Sequence, residues 1–147
     1  MKFFEGDLLV IPAISFFVPL IMSTGGNVGI QSSSLIVQSL ANKSLMGWKF
    51  KDRLFKALIV AVINGFVIAF LVFGYNFVFE DGYKLAAVVS ISLFAVVILA
   101  SFMGTVTPIV LDRFGINPAL ASGPFITTSN DLLGLAVYFM VAHLLYF

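Results

Sequence analysis

The sequence predicts an all-α fold: a polytopic membrane helix bundle with four transmembrane helices in 147 residues. Three observations carry that prediction. Hydrophobic residues make up 61% of the chain and charged residues only 10%, against about 25% charged in a soluble domain; the mean hydropathy is +1.11. Four apolar stretches each hold the roughly 20 residues that cross a bilayer, at about residues 8–41, 54–79, 85–111 and 118–147. The charges gather in the short segments between them.

The first stretch runs through Pro12, Pro19 and the Gly25-Gly26 pair. At 1.5 Å per residue it would be roughly 50 Å long if straight, so it must tilt, kink or protrude. The second carries Asn64 and Gly65, and the third Gly104, Thr105, Thr107 and Pro108, which read as packing and kink positions. The fourth opens on Asn117-Pro118, a good helix start: asparagine caps free N–H groups and proline suits the first turn. Gly123-Pro124 then disturbs it early.

Charge sets the expected orientation. The first connection holds Lys43, Lys49, Lys51, Arg53 and Lys56 against Asp52 alone, which places it in the cytoplasm. The Glu80–Lys84 connection then lies outside, Asp112-Arg113 inside, and both termini outside, in a cell (inner) membrane. An outside N-terminus with no preceding span leads us to expect an upstream helix. Glu5 and Asp7 do not suit a cleavable signal peptide. Trp48 falls in the basic connection, and Tyr75, Tyr83, Tyr138 and Tyr146 fall partly near span ends, where aromatic belts form.

Several classes are excluded. The chain has no cysteine, hence no disulfide, thiolate metal site or cysteine nucleophile. It has no P-loop, HExxH or GxSxG, and its one histidine, His143, sits near a span end. We expect no enzyme. The net charge of +1, held mostly in short loops, says nothing about nucleic acid; the apolar composition makes membrane lipid the expected partner, and no nucleic acid is expected.

Two features carry chemistry. Thr24, Asn27, Gln31, Ser34 and Gln38 recur at spacings of 3, 4, 3 and 4, which puts them on one helical face. Such a face costs free energy in lipid. It either lines a water-filled path or glues helices together. Gly25 and Gly29 on the same helix have GxxxG spacing, which permits close helix packing. The second feature is Asp131, the only charged side chain between Arg113 and Phe147. A carboxylate at bilayer depth costs roughly 2.5–3.5 kcal/mol by insertion measurements. No Lys or Arg lies in the apolar cores to pair with it. Either it meets a cation from solution, or it is protonated and hydrogen-bonded to a neighbouring helix. Thr127, Thr128 and Gly134 share its face, with Asn130 adjacent. Oxygen-only ligands suit a hard cation such as Mg²⁺ or Ca²⁺, and ions close to Mg²⁺ in size, Mn²⁺ and Co²⁺, would compete.

Two segments together resemble a known family. VPLIMSTGGNVGIQSSSLIVQSLA, Val18–Ala41, and GINPALASGPFITTSNDLLGLAVYF, Gly115–Phe139, are similar to the second and fifth transmembrane helices of the MgtE magnesium channels and of the eukaryotic magnesium solute carriers. The resemblance implies Mg²⁺ as the transported ion. It also implies a homodimer with the pore on its axis, lined by the first and last helices of this chain. The family's ion-binding acid falls on Asp131, and its ion-facing TGGN segment on Ser23, Thr24, Gly25, Gly26 and Asn27. Gln31, Ser34, Thr127 and Thr128 join the expected lining. The family's first helix, its acidic N-terminal domain and its paired CBS domains have no counterpart here. Ile30 and Gly123 stand where some members have Asn, and Asn117 stands where Asp is common. Two other classes fit the residues alone: a proton- or ion-coupled secondary transporter with Asp131 as carrier, and a non-conducting assembly subunit.

Overall fold

The computed structural model describes residues 12–42, 48–79, 83–121 and 123–146. The expected helix start at residues 8–11, Lys43 of the basic connection, Glu80 and Asp81 of the next connection, and residue 147 lie outside the described residues, as do the side chains of Trp48, Lys49, Lys51, Arg53 and Tyr146. The elements are α1 (Pro12–Ala41), α2 (Trp48–Phe79), α3 (Tyr83–Arg113), a 3₁₀ turn (Pro118–Ala121) and α4 (Pro124–Tyr146). Among the described residues there is no strand, and the fold is an all-α helix bundle.

Two boundaries differ from those the sequence led us to expect. Helix α2 begins at Trp48, so Trp48 and the basic residues after it are a helix and not a loop. Lysine and arginine are good helix formers, and Asp52 pairs with Lys56 one turn on at 2.7 Å. The fourth stretch is not one helix. Asn117 does cap, its Oδ1 accepting from the N–H of Ala119 at 3.0 Å, but what it caps is the short 3₁₀ turn. Gly123 then adopts φ +100°, which closes that turn and releases the chain into α4. Upstream, α3 stops at a Schellman motif: Gly115 has φ +71°, Ile116 N–H donates to Leu111 at 2.9 Å and Gly115 N–H to Asp112 at 3.0 Å.

Helix α3 is the centre of the bundle, packing against α1, α2 and α4. The buried core joins Ile14 and Ile21 of α1, Leu85, Val88, Val89, Leu93 and Val96 of α3, and Tyr138, Phe139 and Ala142 of α4. Helix α2 touches mainly α3, and Phe55, Phe66, Phe70 and Phe77 along it are exposed. Apolar rings facing outward are what lipid contact requires. By length and composition Phe55–Phe79, Tyr83–Arg113 and Pro124–Leu145 can each cross a membrane. Helix α1, 30 residues long, is long enough too. Its polar stripe dilutes the hydropathy that marks the other three.

Interhelical contacts are made by small residues. A Cβ placed on Gly104 of α3 would run into the Gly29 carbonyl oxygen and lie 3.0 Å from Ser32 Cβ, so α1 and α3 approach backbone to backbone. One turn away the Ser32 hydroxyl donates to Ser101 Oγ at 3.2 Å. Tyr138, placed with the aromatic belt by its position in the sequence, is fully buried instead. Its hydroxyl donates to the Ile14 carbonyl at 2.8 Å. That bond ties α4 to the opening of α1, just before Pro19, whose ring nitrogen cannot donate back along the helix.

Tyr138→Phe removes the hydroxyl of this clasp and keeps the ring. Interhelical hydrogen bonds in membranes average about 0.6 kcal/mol and reach about 1.7. We expect a loss in that range, measured as unfolding free energy in detergent. Gly104→Leu has to push α1 off α3 and is expected to cost more than the tyrosine change by the same measurement.

Candidate functional site

The site forms where α4 crosses the glycine segment of α1. The first turn of α4 is pinned locally. Both the backbone N–H and the hydroxyl of Thr127 donate to the Gly123 carbonyl, at 3.0 and 3.1 Å. From that fixed start, Ile126, Thr127, Asn130 and Asp131 come up against α1. A Cβ on Gly26 would lie 2.9 Å from Asp131 Oδ1 and 3.0 Å from Thr127 Cγ2. A Cβ on Gly25 would lie 3.0 Å from Val96 Cγ1 and 3.5 Å from the Asn130 carbonyl oxygen, and one on Gly29 would overlap the Asn130 amide. The bare backbone of α1 therefore forms a seat that no side chain could share. Gly134, one turn further along α4, faces Val96 at 3.2 Å by the same measure.

Asp131 is half-buried. Its Oδ1 is fully buried and makes no hydrogen bond within the chain. Among the described residues no donor or acceptor of a neighbouring helix hydrogen-bonds that oxygen, and no cation pairs with Asp131. Among the described residues no three His, Asp or Glu gather as a metal cluster.

The stripe on α1 points away from the bundle. Ser23, Asn27, Gln31 and Gln38 are exposed and Thr24 and Ser34 half-buried. The opposite side of the helix buries Ile21, Gly25, Gly29, Ser32, Ser33 and Ile36. The residues expected at the site therefore divide. Asp131, Thr127 and Gly26 are brought together. Asn27, Thr24, Ser23, Ser34 and Gln31 lie on the adjoining outer face, and Thr128 is exposed on α4. Gly25 turns to the interior, against Val96 and the α4 backbone, where its role is close packing. The Thr127 hydroxyl proton is committed to Gly123, but its oxygen can still accept a hydrogen bond.

A separate cleft lies elsewhere. It holds about 300 Å³ between α1 and α2, over Val97 and Ser101, with Lys56 at one end. It exists because α1 and α2 hardly meet. Gln31 reaches its edge, but Asp131 is not part of it.

The sequence is similar to known proteins. Residues 18–141 match the family MgtE, described as a divalent cation transporter. That match covers both helices of the site and the two between them. The chain belongs to the MgtE family. A magnesium transporter MgtE from Thermus thermophilus is 38% identical over 143 residues, which is 97% of this chain and 31% of that protein. One from Bacillus subtilis is 32% identical over 142 residues, 97% of this chain and 32% of the relative. A third, from Enterococcus faecalis, is 30% identical over 129 residues, 88% of this chain and 28% of the relative. The chain thus spans about a third of the length of the curated relatives it matches. With the apolar helices, this MgtE chain is a multi-pass membrane protein.

Sequence reasoning passed over Asn130. It noted the residue beside Asp131 but assigned it nothing, because an asparagine on a helix next to a charged residue looks like surface. Here it is 2% exposed. The one available signal was register: Asn130 and Ile126 are four apart, and Ile126 belongs to the buried face.

If the stripe borders water, single cysteines at Asn27, Gln31 and Gln38 will react with a small hydrophilic thiol reagent in membranes. Cysteines at Ile21 and Ile36, on the buried face of the same helix, will not. The native chain has no cysteine to confuse the measurement. Equal labelling of both sets would remove the aqueous face.

Proposed function

We propose that this chain is the conducting part of a Mg²⁺ transporter, with the pore between two copies of it. The carrying observation is Asp131: a carboxylate in a membrane-depth helix, beside an outward polar face, with no counter-charge paired to it among the described residues. An isologous dimer would set the α1 stripe and α4 of each protomer against those of the other. The polar face then leaves lipid for water, and two Asp131 carboxylates share one ion path.

The chemistry suits a hydrated ion. Mg²⁺ gives up water reluctantly and prefers octahedral oxygen at about 2.0–2.1 Å. Its bound waters are strong donors, so the path needs acceptors: Asp131, the Thr127 and Thr128 hydroxyls, the side-chain oxygens of Ser23, Thr24, Asn27, Gln31 and Ser34, and the backbone at Gly26. The proposed topology puts the basic segment in the cytoplasm and the C-terminus outside. Across 100 mV, inside negative, entry of a divalent ion gains about 4.6 kcal/mol, twice the single-charge value. That drives uptake with no coupled ion, in keeping with the transporter, and not enzyme, names of its relatives.

Asp131→Asn keeps the shape and removes the charge. In proteoliposomes loaded with a Mg²⁺ indicator it is expected to lower uptake about tenfold or more, the effect of about 1.4 kcal/mol, with expression and dimerisation retained. Unchanged uptake would remove Asp131 from the ion path. Mg²⁺ will pass better than Ca²⁺, which takes 6–8 oxygens at about 2.3–2.6 Å, and Mn²⁺ and Co²⁺ will compete with it. Flux that follows a proton gradient and not voltage would point to a coupled transporter.

A further inference from the structure

Asn130 is the least explained side chain in the molecule. It is 2% exposed. Neither its Nδ2 nor its Oδ1 makes a hydrogen bond within the chain. In a membrane protein such a group is expensive, because lipid offers no partner either. An isosteric leucine would fill the same space at lower cost. A carboxamide at this position therefore calls for a polar partner.

Its location names the partner. The amide rests on Gly29, at the spot a Cβ would occupy, and Asp131 Oδ1 rests against Gly26. Those glycines are three residues apart on one face of α1, about 5 Å along the axis. Asn130 and Asp131 are consecutive, so they straddle the α1 backbone from one turn of α4. Asp131 Oδ1 is also buried without a hydrogen bond. One donor and two acceptors, Asn130 Nδ2 with Asn130 Oδ1 and Asp131 Oδ1, are thus unmatched beside one short stretch of bare helix. A water between the side chains would accept from Asn130 Nδ2–H and donate to Asp131 Oδ1. Buried waters typically hold about three such bonds.

We propose that Asn130 is a positioning residue of the ion site, holding the inner oxygen of Asp131 through a shared water so that the rest of the carboxylate addresses the hydrated cation. The inference rests on the Mg²⁺ reading above. It assigns to Asn130 the task of fixing the carboxylate, and to Gly29 the task of admitting the amide. Residues that hold a metal-binding group typically contribute about 10–100-fold to metal affinity.

Three variants of the full chain test this in proteoliposomes, with Mg²⁺ uptake measured over a range of Mg²⁺ concentrations and thermal unfolding measured alongside. Asn130→Leu keeps the branching of the side chain and removes both polar atoms. The expected result is a roughly 10-fold rise in half-saturating Mg²⁺, a maximal rate close to that of the parent, and an unfolding midpoint at or above it. Asn130→Ser restores a donor, leaves room for water, and should recover most of the affinity. Unchanged half-saturation in Asn130→Leu, with Asp131→Asn inactive, overturns the proposal and leaves Asn130 as packing. A fall in affinity that tracks a fall in unfolding midpoint, without recovery in Asn130→Ser, overturns it as well. Normal uptake by Asp131→Asn would instead defeat the ion-path reading itself, and this inference with it.

Discussion

The arrangement depends on one constraint: three glycines on the inner face of α1, where added side chains would collide with α3 and α4. Gly25, Gly26 and Gly29 let the helix meet α3 through Gly104 and α4 through Asn130 and Asp131 without intervening atoms. Lipid tails are as apolar as leucine, so burial alone does not hold membrane helices together. Close approach does, through many weak contacts that fade when a gap opens. The glycine seat is thus both the packing device and the wall of the site. An added methyl there would collide with the same atoms that carry the chemistry.

This explains why the two faces of α1 differ so sharply. The inner face is small at its glycines. It holds one matched polar pair, the Ser32–Ser101 hydroxyl contact at 3.2 Å, while the unmatched Asn130 amide and Asp131 Oδ1 rest against Gly29 and Gly26. The outer face carries the amides and hydroxyls that have no place inside. Neither face is apolar enough to make α1 a lipid-facing helix, whereas α2 is little else along its exposed phenylalanines. A helix of this kind has to be covered on both sides. Helices α3 and α4 cover the inner side, and a second protomer is our proposal for the outer one.

Much of this was legible in the sequence. The class followed from composition, and the approximate helices followed from apolar runs. The outward stripe followed from spacing, because helical periodicity converts 3 and 4 into a face whatever the surroundings. Asp131 stood out because charge at depth is rare. What stayed hidden depended on contacts distant in sequence. Tyr138 is buried because α4 meets α1 at Ile14, 124 residues earlier. Asn130 is buried because Gly29 leaves space for it. The break before α4 was visible as Gly123-Pro124 but was underweighted, since the capping signal at Asn117 was read as starting the whole helix and not a single 3₁₀ turn. Trp48 and the basic residues lie outside the apolar run that marks the second span, so apolar pattern alone does not show that the helix starts at Trp48, although lysine and arginine are good helix formers.

Why the acid sits against the glycine seat, and not out on the stripe, follows from electrostatics. A carboxylate on a fully wetted face would be screened and could swing among rotamers; it would attract cations without choosing among them. A carboxylate sunk completely between helices would bear the full desolvation cost and be protonated. Half-burial lies between those limits. One oxygen rests against the seat at Gly26, and a charge only partly withdrawn from water acts with less screening than in bulk water. Under the proposed function, a fixed charge at the edge of a narrow polar face would favour an ion by the size and rigidity of its hydration shell. The glycines that bring the helices together also set the depth of the charge, so in that proposal packing and ion selection depend on the same few atoms.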